Sequence, residues 1–164
     1  MGFEHDKVWP ILQPLYFEAC EGTVEAVIDE GKEVVHPLTK WILRAGSREN
    51  LTNSELQALK TARNRYRKNY SHYWNSTGVD VVLSAVYQDT APPPDTSTYW
   101  MYTAIWNLLD YPAISFPASM LQGVNHSSSA DSLAMPVGLQ LIAKRWMDNE
   151  LLAALGSVVE ILQS

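Results

Sequence analysis

The sequence predicts an α/β chain, a partial mixed sheet with helices packed on its faces. Three short apolar runs, "VDVVLSAVY", "AISFPA" and "PVGLQLIAK", have the length and residue types of strands, and segments of helical period lie between them. Proline and glycine at the junctions, above all the triplet in "QDTAPPPDTST", mark where regular structure must stop.

From about Pro10 to Glu30, apolar residues at Leu12, Leu15, Tyr16, Ala19, Val24, Val27 and Ile28 recur at spacings of three and four. That pattern predicts one or two amphipathic helices, broken near Gly22. "HPLTKWILRAG" reads as a turn and a short helix ending at Gly46. In "LTNSELQAL", Thr52 can cap and Glu55 can reach back, with Leu51 and Leu56 placed as a hydrophobic staple. A long helix therefore runs to about Trp74, with Leu56, Leu59, Tyr66, Tyr70 and Tyr73 as its apolar stripe. Lys60, Arg63, Arg65, Arg67 and Lys68 fill its other faces, either as a solvated surface or as an anion-binding patch.

Gly78 ends that helix, and the β-branched run beginning at Asp80 reads as a buried strand. The proline triplet then forces an extended loop. A helix is expected over Ser97 to Leu109, capped by Asp95, Thr96 or Ser97, with Trp100, Ala104 and Leu108 on one face. Asp110-Tyr111-Pro112 turns the chain into a second strand, stopped by Pro117. After the loop-like "LQGVNHSSSADSLA" come the third strand and a final helix, "DNELLAALGSVVEIL", capped by Asp148 or Asn149. No repeat and no linker divides the chain, so residues 1–164 read as part of one domain.

Composition supports a packed core: 46% of residues are hydrophobic and 18% charged, with six tryptophans and eight tyrosines. The net charge of −6 makes nucleic acid a poor partner. The N-terminal "MGFEHDKVWP" has no apolar leader, no window is apolar enough to span a bilayer, and Cys20 is the only cysteine. A cytoplasmic, reducing setting is the expectation, with no membrane partner and the four N-x-S/T sequons arising by chance.

Chemistry is hard to find. The sequence has no G-x-S-x-G, no S-x-x-K, no Walker loop and no G-x-G-x-x-G. His5, His36, His72 and His126 stand too far apart for a local metal motif, so no metal and no cofactor is expected. Ser127, Ser128 and Ser129 beside His126 offer hydroxyls, but without a residue to orient a base they read as a solvated loop.

Three linked stretches carry further information: "VDVVLSAV" with prolines after it, "WNLLDYPAISFP", and "MPVGLQLIAKRWMDNELLAAL". In this order they resemble the C-terminal portion of the amidase signature family, particularly its fungal acetamidase-like branch. Asn107, Pro112, Pro117, Pro136, Gly138 and Gln140 fall in register with the family pattern, and the likeness is closest over 80–164 and looser over 10–79. The sequence departs from that pattern at Gly31-Lys32-Glu33 and at Ala143.

The resemblance implies hydrolysis of linear amides by a Ser-cisSer-Lys triad carried in the family's Gly/Ser-rich signature. That signature has no counterpart here, so no residue is assigned as catalytic, and the six matched residues are expected to be scaffold and pocket wall. The chain is then expected to be inactive alone, its partner being a missing N-terminal amidase half and its small-molecule amide bound only in the complete enzyme. The alternative expectation is a non-catalytic module that binds a partner through its exposed half-pocket or its basic helix.

Overall fold

In the computed structural model, residues 5–16, 23–32, 34–46, 51–89, 91–117 and 137–163 are described. The longest element is set by its first turn. Thr52 Oγ1 accepts from the Glu55 amide at 3.3 Å, and Glu55 Oε2 accepts from the Thr52 amide at 2.8 Å, a reciprocal capping box. From it α4 runs Asn53–Thr77 and stops at Gly78, whose φ of 69° suits a residue without Cβ. Its inward face is Tyr66, Tyr70 and Trp74, the last two being one helical turn apart. Tyr73, expected in the stripe, is instead 42% exposed, because Trp74 holds the inward direction through an indole N–H bond to the Val79 carbonyl at 2.6 Å.

Before α4, the described residues form a 3-10 turn, His5–Lys7, and three short helices: α1 (Val8–Tyr16), α2 (Thr23–Gly31) and α3 (Pro37–Gly46). Helices α1 and α2 fall within the stretch expected to hold one or two helices, and the break expected near Gly22 lies outside the described residues. Val8 and Leu12 carry α1 into the core against α4 and α5, whereas Val27 of α2 is 64% exposed and contributes nothing to it. Beyond α4 the described residues form β1 (Val81–Ala85), α5 (Met101–Leu109), β2 (Ala113–Pro117), β3 (Gly138–Ala143) and α6 (Asp148–Gln163).

The sheet order is β1-β3-β2, and both pairings are antiparallel. Helix α5 carries the chain from β1 to β2, leaving a gap that β3 fills, a split β-α-β arrangement. Strand alternation then divides the side chains into two layers. Leu139, Leu141 and Ala143 pack with Val81, Ile114, Phe116 and Leu151 on the α6 side. Ile142 and Val82 join Val8, Leu12, Tyr70, Trp74, Leu108 and Leu109 on the side of α1, α4 and α5.

Three further expectations change. Strand β1 is not deeply buried: it lies at the sheet edge, with Leu83 55% exposed. Helix α5 begins at Met101 and its N-cap is Trp100, not Asp95, Thr96 or Ser97. The reason is local. Thr96 spends both its amide and its hydroxyl on the Pro93 carbonyl, at 3.2 and 2.8 Å, closing the proline turn and leaving no cap for a helix. Helix α6 begins at Asp148, so Asp148 stands in the first turn, and its first amide bond runs from Leu151 to the Met147 carbonyl at 3.0 Å.

Candidate functional site

Five of the six family-matched residues, Asn107, Pro112, Pro117, Gly138 and Gln140, meet around α5 and the sheet face beneath it. At the end of α5 the Asp110 amide bonds the Asn107 carbonyl at 3.2 Å and the Tyr111 amide bonds the Trp106 carbonyl at 3.1 Å. Asp110 adopts φ 62°, the left-handed geometry that closes a helix this way. Arg67 of α4 donates its Nε–H to the Leu108 carbonyl at 2.5 Å, and Arg145 reaches Asp110 Oδ2 at 2.5 Å. Part of the basic helix is therefore structural: Arg67 caps α5. Burial, and Arg63 beside it, lower the Arg67 pKa, which Asp110 opposes.

Pro112 follows, and its carbonyl accepts from the Ala143 amide at 3.1 Å, fixing how β2 enters the sheet. Pro117 closes the same pairing opposite Gly138. A Cβ on Gly138 would overlap the Val86 side chain at Cγ2, and the Val86 amide bonds the Gly138 carbonyl at 3.1 Å, so any larger residue here would have to displace Val86. Between those ends, Gln140 sits opposite Ser84 on one neighbour and Ser115 on the other, a polar row across the α5 face. Gln140 is 2% exposed and its Nε2 donates to the carbonyls of Ala85 and Tyr102 at 2.8 and 2.9 Å. It stitches β3 to the end of β1 and to α5.

Three concavities flank this row. A cleft of about 370 Å³ contains Asn107, Ser115 and Gln140, and another of about 310 Å³ contains Asn107, Pro112 and Arg145. The largest, about 680 Å³, is lined mainly by rings: Trp9, Trp41, Tyr99, Trp100, Tyr102 and Trp106. Its wall is held by an unusual tie, in which His36 Nε2 meets Asp95 Oδ1 at 2.7 Å while His36 Nδ1 accepts the Leu38 amide at 3.2 Å. That pins the proline loop to the start of α3. Trp106 borders all three concavities, is 6% exposed, and its indole N–H has no acceptor among the described residues.

Behind Trp106 the aromatic core continues. Tyr70 meets Trp106 edge-on at 6.3 Å and Tyr111 at 6.0 Å, and Trp74 meets Tyr111 at 5.4 Å. Burial pushes the Tyr70 phenol up to about 12, with Tyr111 and Tyr73 adding to the shift. Burial likewise raises Tyr111, against a hydrogen bond with Ser71.

Several serine hydroxyls among the described residues are spent on the main chain. The hydroxyls of Ser76, Ser84 and Ser157 each donate to a main-chain carbonyl, of Tyr73, Ala85 and Ala153. Pro136, His126 and the serines 127–129 lie outside the described residues. Among the described residues no cluster of metal-ligating side chains occurs, and no helix is long and apolar enough to cross a membrane. Sequence reasoning missed the ring-lined cavity. Trp9, Trp41 and Trp100 come from three separate segments, and only Trp100 had been placed on a helix face.

These layers and motifs are those of a known enzyme family. The Amidase family model matches residues 13–152. The chain belongs to the amidase family. An amidase of Schizosaccharomyces pombe is 32% identical over 97% of this chain, covering 33% of that protein. An amidase of Gibberella moniliformis is 30% identical over 60% of the chain, covering 19% of that protein. Among solved structures, fatty acid amide hydrolase superposes with a TM-score of 0.76 at 26% identity, over 98% of this chain and 32% of that one. A crystal structure of another amidase shares the fold, with a TM-score of 0.66 at 20% identity over 96% of this chain and 36% of that one. The chain thus spans about a third of the length of the Schizosaccharomyces amidase and of fatty acid amide hydrolase.

Proposed function

We propose that this chain is the C-terminal portion of an amidase domain that hydrolyses carbon–nitrogen bonds of linear amides, and that it supplies scaffold and pocket wall while other sequence supplies the Ser-cisSer-Lys triad. The observation that carries this is what the matched residues do. Gln140, Gly138, Pro112 and Pro117 are committed to main-chain bonding, pairing and close packing around α5. Residues so committed position a pocket; they have no free acid, base or nucleophile to offer.

The chain alone should then release no ammonia from acetamide, benzamide or longer amides at any pH between 6 and 9. Turnover that co-purifies with the chain and disappears in a Ser127→Ala, Ser128→Ala, Ser129→Ala variant would overturn the proposal.

A second reading, a non-catalytic module that docks a partner, is favoured by one feature. Among the described residues strand β1 has no neighbour on its outer edge, and Leu83 there is 55% exposed, the kind of surface that pairs with another chain. The same surface suits the remainder of an amidase domain, so both readings place the partner there. The basic helix is the weaker docking site, because Arg67 is already used to cap α5.

A further inference from the structure

The 680 Å³ cavity falls within the size range of about 300–1,000 Å³ that holds small organic molecules. Its chemistry is narrower than its size. Trp100 is the hub of three other rings, meeting Tyr16 at 5.2 Å, Trp9 at 5.5 Å and Trp41 at 6.1 Å, all tilted or edge-on. Tyr99 and Tyr102 extend the same wall and meet edge-on at 6.0 Å. These walls come from α1, α3 and the segment leading into α5, held together by the His36–Asp95 tie and by the α5 backbone, where the Trp100 carbonyl accepts from the Ala104 amide at 2.9 Å.

These rings are packed on one another and form the wall; a guest that is itself a ring can add edge-to-face contacts with the faces they turn to the cavity, on top of simple burial. A flexible alkyl chain gains burial alone and loses rotamer freedom on entry. Only His5 and Asp6 among the lining residues carry ionisable side chains besides the tyrosines, and both are exposed, which leaves the interior without a counter-charge for an ionic guest. Trp106 borders the cavity as well, closing its inner side with a buried ring.

We propose that this cavity binds the aromatic ring of an uncharged amide, so that the domain's substrates are aryl amides and not acetamide-sized ones. The proposal rests on the amide-hydrolase reading for the identity of the guest, but the binding itself does not require catalysis. The test is calorimetric titration of the purified chain with 2-naphthamide, with its fully saturated decalin analogue of the same carbon skeleton, and with acetamide. Saturable binding of 2-naphthamide at least tenfold tighter than the decalin amide, with no acetamide binding, is expected.

Trp41→Leu, on the half-buried face of α3, should reduce that preference to threefold or less while leaving the melting curve cooperative. Trp100→Leu should do the same more severely, and if it does not fold, Trp41→Leu decides. Absence of saturable naphthamide binding, equal binding of the saturated analogue, or an unchanged preference in Trp41→Leu would each overturn the inference. Failure here leaves the amidase reading intact, since that reading is tested by turnover and this one by binding to a chain that need not turn over.

Discussion

The Gln140 side chain donates to the Tyr102 carbonyl at 2.9 Å, joining the middle strand to the helix above it across thirty-eight positions of sequence. Together with its bond to Ala85, this makes one buried amide the rivet between β1, β3 and α5. Gln140→Leu keeps approximate volume and removes both donors. The Tyr102 and Ala85 carbonyls then each lose one donor, Ala85 keeping the Ser84 hydroxyl, at a cost of about 1–3 kcal/mol. A matching fall in the urea midpoint with an unchanged slope is the expected result.

Gly138 and Val86 form the next joint. Gly138→Ala places a methyl group against Val86 Cγ2 and should cost about 1–3 kcal/mol through overpacking. Val86→Ala in the same chain opens the space, so the double variant should be more stable than the sum of the two single changes requires. Additive losses in that double-mutant cycle would show that the glycine is there for some other reason.

The α4 start gives a pH-dependent case. The Thr52 hydroxyl first, and then the Thr52 amide, hold the Glu55 carboxyl below its usual range. A depressed carboxyl stabilises the fold above its ordinary titration range, and this contribution is lost as pH falls through the lowered folded-state value. Thr52→Ala should cost about 1 kcal/mol at pH 7. The difference from the unaltered protein should shrink in thermal melts below about pH 4.

Tyr70 provides the opposite sign. Its phenol is raised to about 12 by burial, so the neutral form is favoured in the fold. The resulting stabilisation is complete below about pH 10, where a free phenol titrates, and is lost as pH climbs through about 12. Unfolding curves should move to lower urea across that window, and Tyr70→Phe should flatten the part of the decline that Tyr70 causes. Absorbance at the phenolate band should rise late for this residue.

The contrast between α4 and α5 shows how much could be read without coordinates. The start of α4 was legible because a capping box is written within four consecutive residues, and its end because Gly78 supplies a left-handed stop. The start of α5 was not. Thr96 looks like a cap in sequence, but its hydroxyl closes the Pro93 turn, a competition between two local bonds that composition does not rank. The role of Arg67 was hidden for a different reason: its acceptor, the Leu108 carbonyl, lies forty-one residues away and belongs to another element.

The candidate site divides the same way. Asn107, Pro112, Pro117, Pro136, Gly138 and Gln140 stood out because they match the family pattern, and the five that lie among the described residues gather around α5. The ring-lined cavity could not stand out, because Trp9, Trp41 and Trp100 are brought together only when α1, α3 and the α5 entry pack. Neither a spacing nor a motif announces such a meeting.

The most direct measurement joins this chain, in frame, behind the N-terminal two-thirds of the Schizosaccharomyces amidase and assays that chimera for amide hydrolysis beside each part alone. If the chain is the pocket wall of an amidase, the chimera will hydrolyse amides while the isolated chain stays inactive, and Gln140→Leu will weaken the chimera. A chimera that folds, melts cooperatively and still turns over no amide would contradict the account.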